Sequence, residues 1–335
     1  MQNSTETATE RVERTSERES LKYANLILAI ILAALAAPIV KWLIIHGGKV
    51  GISNPNAISF CNLLFVGNLC SALVVLVTVG WADIWNYSSQ LNARTSVLLL
   101  GNLLIGTVMA PVFLYVALES TMVTNLVLLT RIEAVAYSIL GVRLFNDQIV
   151  KREWTGLVFI TVGVFFLALF HGGGKLTTGD ALGILAGILY AIGSAIGRSI
   201  LKNSSIAGFI FTRNLLGSII FFWLAIILYG AHHFAEAFSA DLWAVMTVYA
   251  SLVVVLGQLT WFRAVSTLSA AMVSAWSTLT PVLGVLIAYL LLHEVPDMSQ
   301  WVGAAIILSG LSISQIRLGQ PVTAIKIVEK GLAGG

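Results

Sequence analysis

Residues 121–143 read TMVTNLVLLTRIEAVAYSILGVR, an apolar run interrupted near its middle by Arg131 and Glu133. A helix needs about 20 mostly apolar residues to cross the roughly 30 Å hydrocarbon layer of a bilayer, and this run is long enough. It is also too long for a membrane-barrel strand, which takes about 9–11 residues. Ionisable groups inside such a run are expensive unless they face a cavity or find partners. The segment therefore indicates a membrane-spanning fold and a candidate site together.

Similar runs fill the chain on both sides, at 23–45, 58–80, 96–116 and 153–170, then at 181–201, 208–230, 242–262, 268–291 and 299–316. With 121–143 they make ten expected transmembrane helices, joined by connections too short to hold a folded soluble domain. Composition agrees. Of 335 residues, 58% are hydrophobic and 10% charged, against roughly 25% charged in a soluble domain. A net charge of +3 is too small an excess for a polyanion partner. These figures exclude a soluble globular enzyme, a disordered chain and a nucleic-acid binder. Cys61 and Cys70 share one apolar stretch and suit neither a disulfide framework nor a zinc site. The histidines (His46, His171, His232, His233 and His293) lack helical ligand spacing, so neither a metal nor a cofactor is expected.

Orientation follows from the basic residues. With the N-terminus inside, cytoplasmic segments carry Arg11, Arg14, Arg18 and Lys22, then Arg94, Arg143, Lys151 and Arg152. Further along they carry Arg198, Lys202, Arg263, Arg317, Lys326 and Lys330, whereas the opposite side has only Lys49 and Lys175. The positive-inside bias puts both termini in the cytoplasm, in a multi-pass protein of the inner (plasma) membrane.

Shifting the sequence by 147 residues lays much of one half on the other. Trp154 falls on Trp301, Gly156 on Gly303, Ile160 on Ile307 and Gly163 on Gly310, with Asp147 on Glu294 and Ala117 on Ala264. Five expected spans per copy is an odd number, so the second copy enters the membrane from the opposite side. The expected fold is thus all-α, with ten transmembrane helices as two inverted five-helix repeats. Its parts are a disordered cytoplasmic tail at 1–22, repeats at 23–171 and 180–316, and a second tail at 317–335.

Over residues 24–316 the sequence resembles the drug/metabolite transporter superfamily, and within it the EamA family, whose domain occurs twice. The resemblance rests on Ala117-Leu118-Glu119-Ser120-Thr121, Arg131-Ile132-Glu133-Ala134-Val135, Trp154-Thr155-Gly156 and Gly163 in the first half. In the second half it rests on Ala264-Val265-Ser266-Thr267, Leu279-Thr280-Pro281-Val282, Leu292-His293-Glu294, Trp301-Val302-Gly303 and Gly310. The family's Glu-Pro-Val is split here: Glu133 keeps the acid beside Ala134, and Pro281 keeps the proline beside Thr280. A family-type arginine of the second helix stands at Arg213, with Asn62 in the other copy. The resemblance implies a carrier of amino acids, organic cations or other small metabolites.

Glu133 is the leading candidate for substrate binding or proton exchange. Arg131, two residues earlier, points about 200° away on an ideal helix, which makes the two poor partners for each other. They are instead placed to bracket a zwitterion, Glu133 at the amino end and Arg131 at the carboxylate. Trp276, Tyr190 and Tyr249 are candidate cavity aromatics, able to hold an organic cation or stack on an aromatic substrate, and Asn62 is a candidate polar contact. Gating or structural roles fall to Arg213, Pro281, Glu119 and Lys41, with Pro281 expected to kink its helix.

No nucleotide-binding loop is present, so the expected protein is a secondary carrier and not an enzyme. Its expected partners are a small organic solute, protons and membrane lipids, and it acts as a monomer or homodimer without nucleic acid. The preferred substrate is an amino acid or related zwitterion, exported by alternating access with proton or solute exchange; organic cations such as quaternary amines are the alternative.

Overall fold

The computed structural model describes residues 8–46, 60–89, 91–171, 175–201, 204–230, 240–257, 259–260, 276 and 279–315. The described elements are helices: α1 (Ala8–His46), α2 (Phe60–Val79), α3 (Trp81–Ser89), α4 (Ala93–Asn102), α5 (Ala110–Ser120), α6 (Val123–Leu129) and α7 (Ile132–Phe145). Then follow α8 (Lys151–Phe170), α9 (Thr178–Leu201), α10 (Ile206–Tyr229), α11 (Ala240–Tyr249), α12 (Leu279–Leu292) and α13 (Met298–Gln315). Two π-helical stretches, Leu103–Met109 and Ala250–Leu256, continue α4 into α5 and prolong α11.

The expected ten transmembrane helices in two inverted five-helix repeats are corrected by this structure. Among the described residues, six helices are long and apolar enough to cross a membrane: Tyr23–His46, Ala93–Ser120, Val123–Phe145, Lys151–Phe170, Thr178–Leu201 and Ile206–Leu228. A seventh is reached only if Leu63–Val79 and Trp81–Ser89, bent by 106°, form one broken span. The described part of α12, Leu279–Leu292, has 14 residues and counts only as a shorter apolar helix, with residues 277–278 before it outside the described residues. Ala240–Leu256 and Met298–Ser314 are likewise shorter apolar helices. A hydropathy count sees a continuous apolar run, whereas a span requires that run to be one sufficiently long helix. Residues 258, 261–275 and 277–278, which take in the end of the expected run 242–262 and much of the first half of 268–291, lie outside the described residues.

The 147-residue register does recur in local geometry. Leu103 and Ala250, which begin the two π-helical stretches, superpose in it. So do Asn146 and His293, both left-handed at φ 55° and each immediately before one of the acids Asp147 and Glu294. At Asn146 this is a helix C-cap, whose N–H is donated to the Gly141 carbonyl of α7.

The run 121–143 is not one regular helix. Arg131 N–H is donated to Leu128 O at 3.1 Å, and Glu133 and Ala134 to Thr130 and Arg131 at 3.0 Å each, a tightening to i→i−3 bonds. The Thr130 hydroxyl donates to Val127 O at 3.2 Å. That side-chain bond satisfies a carbonyl left free where the backbone tightens between α6 and α7, at a place with no proline.

Helices α8 and α13 approach through glycines. A Cβ on Gly156 would stand 2.5 Å from Gly310 O, and one on Gly163 would meet Ile307 at 2.6 Å. Neither position tolerates a side chain without backbone movement, which is how small residues bring helices together where lipid offers no hydrophobic drive. Elsewhere α2 packs on α10 and α1 on α12.

Candidate functional site

A cavity of about 280 Å³ lies within the helices, walled by α1, α2, the first π-helical stretch with α5, α9, α10 and the second π-helical stretch with α11. Its apolar wall includes Ala36, Val40, Leu63, Leu114 and Val254. The polar wall includes Asn68, Ser71, Thr107, Tyr190, Arg213, Asn214 and Tyr249, with Tyr115 beside them. A mostly apolar cavity with a few convergent polar groups is the usual form of a small-molecule site.

Local structure positions these groups. Thr107 is on the π-helical stretch, where the widened turn precedes Pro111, whose ring would press on the carbonyl four residues back in a regular helix. Gly106 meets Gly193 of α9 backbone to backbone, with a Cβ on Gly106 standing 3.1 Å from Gly193 Cα. The buried Asn102 side chain donates to Gly193 O at 2.7 Å and locks that crossing. This close approach sets the first π-helical stretch against α9, the helix that carries Tyr190. Asn68 is tied back to its own helix, donating to Leu64 O at 2.7 Å.

Of the residues expected from the sequence, Tyr190, Tyr249 and Arg213 stand in the cavity wall, and Arg131, Glu133 and Trp276 do not. Glu133, at the start of α7, lies near Ser194 of α9 and interacts electrostatically with Arg131 and Tyr190. The ideal-helix angle that separated Arg131 from Glu133 does not prevent that interaction. Trp276 is 36% exposed. Pro281 is buried on α12, and residues 277–278, across which its expected kink would run, lie outside the described residues. The side chain of Asn62 lies outside the described residues, as do Gln258, Trp261 and Arg263.

Glu119 is exposed at the end of α5. Lys41 donates to Leu118 O, and to Thr121 O at 3.3 Å, and interacts electrostatically with Glu294 and Glu119. Arg198, a basic residue of the expected cytoplasmic side, holds Asp147: Nη2 donates to Oδ1 at 3.0 Å and Nη1 to Oδ2 at 2.5 Å.

A second polar layer adjoins Lys41. Glu294 accepts from Val123 N–H at 2.9 Å, Thr124 N–H at 3.0 Å and the Thr124 hydroxyl at 3.1 Å, capping α6. Fully buried Asp180 accepts from Thr121 and Asn125, each at 3.0 Å, and Gln300 donates to Asn125 at 3.1 Å. Nearby, His171 pairs with Asp297 at 2.8 Å. Burial works to raise the Asp297 carboxyl, but hydrogen bonds from Ser299, the Gln300 backbone and His171 outweigh it and hold it below its ordinary value.

The sequence reading missed Thr107 and Asn214. Asn214 had a signal, since it follows Arg213 inside an apolar run; Thr107, a single hydroxyl among apolar residues, had none.

Residues 177–315 match the EamA-like transporter family. An uncharacterized transporter of Synechocystis sp. is 32% identical over 301 residues, covering 87% of this chain and 86% of its own. The uncharacterized transporter YetK of Bacillus subtilis is 25% identical over 64% of this chain and 67% of its own. A Salmonella typhimurium protein named "Probable amino-acid metabolite efflux pump" is 25% identical over 60% of this chain and 71% of its own. In fold, a crystal structure at 14% identity superposes with a TM-score of 0.54, covering 85% of this chain and 96% of that one. With a relative so similar over nearly its whole length, a set of membrane-spanning helices and a cavity among them, the chain is a multi-pass membrane transporter of small organic solutes and belongs to the EamA-like transporter family.

Proposed function

We propose that the protein is a secondary carrier that exports an amino acid or a related zwitterion by alternating access, driven by proton or solute exchange. The observation that carries this reading is the cavity itself, mostly apolar with a few polar groups, together with the ionisable Glu133 lying electrostatically close to its wall residue Tyr190. A carboxylate in that place changes the field in the cavity when it gains or loses a proton, which couples proton movement to solute binding. The relative named as an amino-acid metabolite efflux pump supports the same substrate class. The basic residues at 11–22, 143–152 and 317–330 support an orientation with both termini in the cytoplasm.

The test is exchange in proteoliposomes. Labelled leucine should enter vesicles preloaded with leucine, and an imposed pH gradient should alter the rate. Glu133→Gln should keep leucine-for-leucine exchange and lose the response to the gradient. Flux of leucine that never saturates, or no flux at all, overturns the reading. A second reading, transport of organic cations, draws on the tyrosines at 115, 190 and 249 that face the cavity. It predicts exchange of a quaternary amine in place of leucine, abolished by Glu133→Gln.

A further inference from the structure

Arg213 Nε, Asn214 Nδ2 and Thr107 Oγ1 are buried polar atoms without a hydrogen-bond partner, and all three residues line the cavity. Asn214 is 3% exposed and Thr107 4%. Arg213 has Tyr190 as its electrostatic neighbour and a Phe209 ring 5.6 Å from its guanidinium carbon. Among the described residues no carboxylate pairs with it.

Unmet hydrogen-bonding groups of one kind in one place are informative. A guanidinium and an amide nitrogen can only donate, and a threonine hydroxyl can donate as well. A guanidinium keeps its charge in proteins, so Arg213 leaves a buried positive charge uncompensated at the cavity. The group that satisfies both conditions carries negative charge and several acceptor oxygens. The other groups nearby are already engaged or differently placed: Asn68 is bonded to Leu64 O, and the Ser71 hydroxyl to Gly67 O at 2.8 Å.

We infer that Arg213, Asn214 and Thr107 form a cradle for the anionic group of the solute, a carboxylate in the first instance. The inference rests on the carrier reading for the cavity being a transport site, and it names which end of the solute is recognised. It replaces Arg131, which is not on the wall, with Arg213 as the carboxylate partner. The apolar side chains at 36, 40, 63 and 114 then face the remainder of the molecule, which favours a short aliphatic body over a polar one.

The experiment compares four probes of equal aliphatic body on the purified wild-type protein by thermal melting: leucine, 4-methylpentanoate, leucinamide and 3-methylbutyl phosphate. The cradle predicts that leucine and 4-methylpentanoate raise the melting temperature and leucinamide does not. Arg213→Lys should weaken leucine at least about tenfold, because an ammonium lacks the planar fork, and Thr107→Val, a near-isosteric change, should weaken it less. Protection by the phosphate ester beyond that by the carboxylates keeps the cradle and reassigns its anion. Protection by leucinamide alone, or by none of the four, overturns it. The carrier reading fails separately: if 4-methylpentanoate protects while leucine neither protects nor exchanges in vesicles, the cradle stands and the amino-acid assignment falls.

Discussion

Gly156 and Gly310 meet backbone to backbone, such that a Cβ on either would stand 2.5 Å or 2.6 Å from the carbonyl oxygen of the other. Seven residues along each helix the pattern recurs with roles exchanged, since a Cβ on Gly303 would meet Leu167 at 3.2 Å and Gly163 O at 3.6 Å. Gly156 thus faces the residue that superposes on Gly163, and Gly163 lies near the one that superposes on Gly156. The glycines bring α8 and α13 together at two levels, seven residues apart along each helix.

Substitution at this crossing is expected to act on stability before transport. Gly310→Ala should cost about 1–3 kcal/mol, the usual penalty for overpacking a tight contact, and Gly310→Leu should prevent α8 and α13 from closing. Thermal melting in detergent checks both, with Gly230→Ala as a control at a glycine whose Cβ meets nothing within 4 Å. The control is itself strained by a φ of 78°, so a smaller loss is expected there and an equal one would contradict the packing argument.

Glu294 is expected to hold the start of α6. Glu294→Ala removes the acceptor of three hydrogen bonds and should lower stability by about 2–3 kcal/mol, with Glu294→Gln intermediate. Amide hydrogen exchange at Val123 and Thr124 gives the direct readout. Unchanged protection there in Glu294→Ala would show that the cap is dispensable.

Asp297 gives the protein a pH dependence of determined sign. Its carboxyl is held below the ordinary value, so its contribution to stability is fully present above the unfolded-state value of about 3.9 and is lost as pH falls through the folded value. Melting temperature should therefore drop as pH is lowered below about 4, and Asp297→Asn should flatten that part of the curve. Identical acid profiles for the two proteins would remove the assignment.

The Arg198–Asp147 pair is bidentate, but each side chain is more than a third exposed, so screening by solvent limits its worth. Asp147→Asn should cost no more than about 1 kcal/mol, and less at high salt. The Arg198 guanidinium also lies 4.3 Å from the Phe145 ring centroid, a contact that Asp147→Asn leaves in place and Phe145→Ala removes. A double-mutant cycle separates the two contributions.

Composition alone made the membrane class readable, and the motifs around Glu133 and Trp301 made the family readable. The count of spans was not, because hydropathy is blind to where an apolar run breaks or bends as a helix, as at the 106° bend between Leu63–Val79 and Trp81–Ser89. The break at Thr130 was hidden for a related reason: no proline or glycine marks it, and it is closed by a threonine hydroxyl turned back on Val127. Tyr190, Tyr249 and Arg213 were legible as polar or aromatic groups inside apolar runs. Which arginine faces the cavity was not, since Arg131 and Arg213 both read as charges in hydrocarbon and only packing distinguishes them. Glu294, whose carboxylate reaches the backbone N–H of Val123 and Thr124, joins residues 170 and more positions apart in the chain; no local pattern specifies such a contact.

The π-helical stretch Leu103–Met109 has a consequence for insertions and deletions. Losing one residue from a regular helix turns everything beyond the loss by about 100° and carries its side chains to a new face. A π turn is an α-helix already holding one residue too many. A one-residue deletion between Leu103 and Met109 therefore absorbs the surplus, leaves α4 and α5 in phase with each other, and makes this the place where the helix tolerates a shorter chain.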